Sequence, residues 1–93
     1  MDEKTEKEFL QLIGLTGGVF ILRYLNEHET GQYKDLMEHL NTHTLNQRLR
    51  TLLHFKLIEH YCVKIEKKTE WYKLTDKGKH VLMLIEKMIE VVE

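Results

Sequence analysis

The chain has no proline, one cysteine and one tryptophan in 93 residues. The lone Cys62 excludes an intrachain disulfide framework and fits a reducing compartment. The opening residues 1–8 are charged and no apolar segment follows them directly, so they do not read as a secretory signal. The most apolar stretch, residues 81–92, is broken by Glu86, Lys87 and Glu90 and is too short and too charged to cross a bilayer. The expected location is the cytoplasm, with no membrane partner. Repeats and low-complexity segments are also missing, so residues 1–93 read as one domain with a thin core. Catalytic parts are lacking: there is no glycine-rich phosphate loop, no Ser-His-Asp arrangement and no paired carboxylates in a plausible cleft. No enzymatic activity and no cofactor are expected.

One further absence is local. No aspartate or glutamate occurs between Asn41 and Ile58. A carboxylate there would repel phosphate. The whole chain carries a formal net charge of −1, but the charge is unevenly distributed. Residues 42–73 hold seven basic and three acidic side chains, a local excess of +4, while residues 1–30 hold three basic and six acidic, or −3. Such asymmetry can steer an anion to one side of a molecule, although a charged run is also what an ordinary solvated face looks like.

Apolar spacing gives the order of elements. A first helix is expected over residues 3–15, polar early and apolar late at Phe9, Leu10, Leu12, Ile13 and Leu15. Thr16-Gly17-Gly18 interrupts it, with Thr16 placed to cap a second helix over residues 17–27. A turn follows, with room for a very short strand near Gln32. Residues 33–40 read as a two-turn helix, and Asn41 is a good cap for the next, residues 42–55. In that helix Leu45, Leu49, Leu52 and Leu53 share one face. His43, Gln47, Arg50 and His54 lie opposite, flanked by Asn46 and Thr51.

Strands are expected over residues 59–66 and 71–74, joined by the basic tip Glu66-Lys67-Lys68-Thr69-Glu70. The tip has no Asn-Gly or Asp-Gly, which predicts a longer, looser loop. Tyr72 and Leu74 share one face of the second strand; in the first, the inner set is either Ile58, His60 and Cys62 or Tyr61, Val63 and Ile65. Thr75 caps a long last helix over residues 76–92.

This order outlines a winged helix-turn-helix: mainly α with a small β-hairpin, the helix-turn-helix at 33–55 and the wing at 58–74. The apolar residues of the two terminal helices, 1–15 and 76–92, exceed what one small core can cover. Phe9, Leu10, Leu12, Ile13, Leu82, Ile85, Met88, Ile89 and Val92 are therefore expected at a homodimer interface.

Side-chain chemistry then assigns roles. His43, Asn46, Gln47 and Arg50 suit base edges, since arginine reads guanine and Asn or Gln reads adenine. Tyr33, Lys34, Thr42, Thr44 and Arg48 suit phosphates, which set position rather than sequence. Lys64, Lys67 and Lys68 suit the backbone or minor groove beside the reading helix. His60 and Cys62 lie two apart on one strand face and invite a metal, but no second cysteine or acidic-histidine cluster joins them in the sequence, so no metal is expected. Cys62 reads as a buried structural thiol, and at least one of Trp71 and Tyr72 as core rather than a stacking platform.

Thr44-Leu45-Asn46-Gln47-Arg48-Leu49-Arg50-Thr51-Leu52, then Leu57-Ile58, then Tyr72-Lys73-Leu74-Thr75-Asp76-Lys77-Gly78 resemble the HxlR-type winged-helix transcriptional regulators, and in outline the MarR and PadR groups. The resemblance covers roughly residues 17–92. It implies a dimeric repressor or activator bound to a palindromic operator in double-stranded DNA, with residues 42–55 as the reading helix and the Lys67-Lys68 loop as the wing tip. Two positions depart from the family pattern. Lys56 stands where glycine is usual, which predicts a differently shaped turn, and the N-terminal cysteine of the redox-sensing members has no counterpart. The competing reading is a winged-helix protein–protein interaction module without DNA binding. No feature of the sequence identifies a small-molecule effector.

Overall fold

Three helix starts are fixed by short polar side chains. Asp2 accepts from the Thr5 amide at 2.7 Å, Asn41 from the Thr44 amide at 2.8 Å and Thr75 from the Gly78 amide at 3.0 Å. Each side chain satisfies an amide that the helix leaves without a partner. The computed structural model describes residues 1–93 and contains α1 (Glu3–Gly14), α2 (Gly18–His28), β1 (Thr30–Gln32), α3 (Tyr33–Met37), α4 (Thr42–His54), β2 (Ile58–Lys64), β3 (Lys68–Leu74) and α5 (Asp76–Val92).

The junction between α1 and α2 differs from expectation. Gly17, not Thr16, occupies the cap position of α2, with φ 103° and no side-chain hydrogen bond. That left-handed conformation suits glycine and turns the chain sharply enough to lay α2 across α1. α3 is also shorter than expected. It ends at Met37, and the His39 amide bonds to the Leu36 carbonyl at 3.2 Å, a tighter closing turn.

The sheet has three antiparallel strands in the order β1-β3-β2, the short strand expected near Gln32 pairing with β3 beside the hairpin. Its register is regular: Ile58 faces Leu74, His60 faces Tyr72, Cys62 faces Glu70 and Lys64 faces Lys68. This decides the open question of the inner face. Ile58 shares a side with the buried Tyr72 and Leu74, while Tyr61 and Val63 share the other with Trp71 and Thr69. Only Ile58 of β2 is buried. Beyond it the ribbon leaves the core, and Cys62 is exposed rather than the buried thiol expected.

Every helix and both hairpin strands contribute to one core. Leu12, Ile21, Leu22, Leu25, Leu36, Leu45, Leu49 and Leu52 meet Phe55, Leu57, Ile58, Tyr72, Leu74, Leu82 and Ile85. Burying a leucine or isoleucine stabilises the fold by roughly 1.5–3 kcal/mol each. Leu12, Leu82 and Ile85 are thereby removed from the expected dimer surface, being 3–6% exposed within a single chain. The helix spacing gave their face correctly, but the partner they meet is α2 and its surroundings, not a second copy. Leu53 corrects in the opposite sense. It is 36% exposed, because its place on the helix wheel borders Asn46 rather than the centre of the leucine stripe.

A set of hydrogen bonds joins the turn after α4 to the start of α5. Thr75 donates through its hydroxyl to the Lys56 carbonyl at 2.6 Å and through its amide to the Leu57 carbonyl at 3.1 Å, and Lys77 Nζ donates to the Phe55 carbonyl at 2.8 Å. A Cβ at position 78 would lie 1.9 Å from the Leu57 oxygen, so only glycine fits there. Lys56 itself has φ 60°. The turn thus keeps the left-handed conformation that glycine favours, rather than a different shape, at a cost of roughly 1–2 kcal/mol for a residue with a side chain.

Candidate nucleic-acid interface

α4 presents a sharply divided surface. Leu45, Leu49 and Leu52 are buried, whereas His43, Asn46, Gln47, Arg50 and His54 are exposed. Thirteen residues give a rod of roughly 20 Å, with the exposed set along nearly its whole length. The Tyr33 hydroxyl donates to Asn46 Oδ1 at 2.8 Å. This bond occupies the amide oxygen and leaves the two N–H donors of the exposed Asn46 without an intramolecular partner. Tyr33 is half-buried and engaged with α4 through this bond, while Lys34 is exposed on α3.

Thr42 is exposed at the N-terminus of α4, where helix amides favour anions, and Thr44 is half-buried one turn in. Arg48 departs from its expected phosphate role. Its Nε donates to the Thr16 carbonyl at 2.9 Å and its stem lies against Gly17, so it ties α4 to the α1–α2 turn. Charge alone marked it as a ligand; its place two residues before Arg50 turns it toward the protein instead.

The wing supplies the positive charge beside this face. Its tip is the three-residue bend 65–67, and Lys64, Lys67 and Lys68 are all exposed. Lys64 and Lys68 sit directly across from each other. Like charges at opposed strand positions destabilise a hairpin, and an anionic partner relieves that repulsion. Ile65, a possible inner residue on the alternation pattern, is 87% exposed at the tip. Tyr72 anchors the ribbon; burial raises its phenol above the usual range, with Glu70 and Tyr33 adding to the effect.

On the same inner face, His60, Cys62 and Glu70 bring their ligand atoms within 4.8 Å of one another, all three residues being exposed. Sequence reading paired His60 with Cys62 and missed Glu70, because only the strand register places residue 70 opposite residue 62.

The two terminal helices leave apolar side chains exposed. α5 leaves Met83, Leu84, Met88, Ile89, Val91 and Val92 exposed, as are Leu10 of α1 and Leu15 just after it. Ile13, Val19, Ile85, Met88, Ile89 and Val92 line a shallow groove between α1, α2 and the end of α5. Phe9 and Ile13 are half-buried against the core, Phe9 meeting Phe55 edge-on with centroids 5.6 Å apart. Arg23 and Glu86 join α2 to α5 through a two-point ion pair at 2.6 and 3.2 Å, whose hydrogen bonds hold the Glu86 carboxyl below its usual range. No single helix is long and apolar enough to cross a membrane.

A two-helix unit at 33–54, a three-stranded sheet with a protruding basic hairpin and a closing helix define a winged helix-turn-helix protein. The HxlR-like helix-turn-helix family model matches residues 12–93, and the chain belongs to that family of DNA-binding transcriptional regulators. The fold is shared with solved structures of low sequence identity. The reduced form of the transcriptional regulator YodB from B. subtilis is 22% identical, with a TM-score of 0.79 over 97% of this chain and 89% of that one. A MarR-family protein from Enterococcus faecalis V583 is 19% identical, with a TM-score of 0.77 over 97% and 84%. A transcriptional regulator homologue from Pyrococcus horikoshii OT3 is 15% identical, with a TM-score of 0.72 over 92% and 93%. Comparison with curated proteins finds no match.

Proposed function

We propose that this chain acts as a homodimer that reads a two-fold symmetric operator in double-stranded DNA. The observation that carries the reading is the exposed, acid-free face of α4. It offers amide, guanidinium and imidazole groups on a rod whose width suits the major groove, roughly 12 Å across. Asn46, Gln47, Arg50 and His43 meet base edges. Thr42 and Lys34 meet phosphates, and Lys64, Lys67 and Lys68 brace the backbone or minor groove alongside.

Dimerisation uses Leu10, Met88, Ile89 and Val92, with Phe9 and Ile13 at the margin of the groove. The radius of gyration, 13.7 Å, exceeds the ~12 Å of a compact chain of this length. The excess fits two elements that leave the core, the wing and the end of α5, each extending toward a partner. Reading successive major grooves requires the two α4 helices of the pair to sit about 34 Å apart.

Titration of duplex DNA at several salt concentrations tests this. The expected result is steep loss of affinity as salt rises, since lysine and arginine displace counterions from phosphates. Flat, weak binding to every duplex rejects the reading. The net charge of −1 favours a second reading, a protein–protein interaction module. Under it, the combined Arg50→Ala, Lys67→Ala and Lys68→Ala variant keeps full function, while disrupting Met88 and Ile89 abolishes it.

A further inference from the structure

We propose that His60, Cys62 and Glu70 form a binding site for one zinc-class divalent cation on the inner face of the wing. His60 and Cys62 are two apart on β2, and Glu70 is the cross-strand partner of Cys62 on β3. Alternation along a strand and opposition across a pair therefore send all three side chains to one side of the ribbon.

Their ligand atoms already lie within 4.8 Å of one another. The separation of His60 Nε2 from Glu70 Oε1 is 3.7 Å, too long for a hydrogen bond. It is close to the ~3.3 Å edge that nitrogen and oxygen share around a tetrahedral zinc with bonds of about 2.0–2.1 Å. Glu70 and Cys62 are both exposed on this face, where the ribbon has left the core, so their side chains have room to rotate toward the ion. Tyr72 stands behind the imidazole, with ring centroids 4.9 Å apart, and limits the directions His60 can take.

The donor chemistry selects the ion. Imidazole, thiolate and carboxylate together suit zinc, cobalt and their neighbours. Magnesium and calcium prefer oxygen alone. Three protein donors leave a fourth position to water, which makes the site open and exchangeable. Lys68 Nζ lies 3.5 Å from the same Glu70 oxygen and is the group the cation displaces. Binding exchanges a thiol proton for a dication, so the wing gains one positive charge, frees Lys68 and acquires a link between its two strands. The inference rests on hairpin geometry and holds whether or not α4 reads bases.

The test is a titration of the full chain with Co²⁺, without DNA, followed by absorption. The expected result is a saturable thiolate-to-cobalt charge-transfer band at one ion per chain. Zinc abolishes it by displacement and magnesium leaves it unchanged. Cys62→Ser removes the band, and His60→Ala and Glu70→Gln each weaken binding by about tenfold or more. Zinc raises the melting temperature of the wild type but not of these variants, whose metal-free circular dichroism matches wild type because all three positions are exposed. Absence of the band overturns the proposal. So does binding indifferent to His60→Ala or Glu70→Gln, or a stoichiometry of one ion per two chains, which would mean a cysteine bridge between copies.

Discussion

α4 and α5 are both amphipathic and both bury one apolar side, yet α5 leaves far more apolar surface exposed among its charged residues than α4 does. Outside, α4 exposes His43, Asn46, Gln47, Arg50 and His54; α5 exposes Met83, Leu84, Met88, Ile89, Val91 and Val92. The buried sides explain why both helices are in the fold. The exposed sides carry the roles proposed for each. Hydrogen-bonding groups lose little by facing water and gain specificity against a polar surface, whereas clustered exposed apolar groups gain only by meeting another apolar surface. The proposed function assigns the first helix to nucleic acid and the second to a partner chain.

The largest effect expected breaks the comparison at its shared, buried side. Leu52→Ala should lower folding stability by about 2–5 kcal/mol in urea denaturation, whereas Leu53→Ala, its half-solvated neighbour, should cost about 1 kcal/mol or less. Equal costs would mean that α4 is rotated from the orientation described. Next, Met88→Glu with Val92→Glu places two carboxylates on the apolar side of α5. Sedimentation should show self-association weakened by about 100-fold or more with the monomer fold intact, because a charge is costly to bury at a dry contact. An unchanged dimer would move the interface elsewhere.

Adjacent arginines sharpen the account of α4. Arg50→Ala should reduce operator affinity by about 1–3 kcal/mol without changing the melting temperature. Arg48→Ala should mainly reduce stability, by about 1 kcal/mol, because it loses the bond to the Thr16 carbonyl. If both variants behave alike, the division between reading and tethering roles fails. The smallest effect is expected at the turn leaving α4. Lys56→Gly relieves a left-handed residue while loosening the unfolded chain, for a net gain of about 0.5–1 kcal/mol in thermal denaturation.

Much of this contrast was legible in the sequence, for identifiable reasons. Asn41 and Thr75 announce helix starts because capping is local chemistry, and the leucine spacing of α4 sets its buried side. What escaped was contact between segments distant in sequence. Periodicity gives a face but not its partner, so it marks Leu12, Leu82 and Ile85 for a second copy although their own chain covers them. Arg48 was given a ligand's role because charge carries no direction. Thr16 lost the cap of α2 to Gly17 because the sharp turn needs a positive φ. The His60–Cys62–Glu70 cluster depends on strand register, which the alternation of β2 leaves open by one residue and the pairing with β3 decides.

The central claim is that the exposed side chains of α4 read bases. Its most direct measurement is selection of bound sequences from random duplexes, carried out in parallel with wild type and Arg50→Ala. The expected outcome is a two-fold symmetric wild-type consensus that loses its preference at one symmetric pair of positions in the variant. A consensus identical in both proteins, or no enrichment by either, would contradict it.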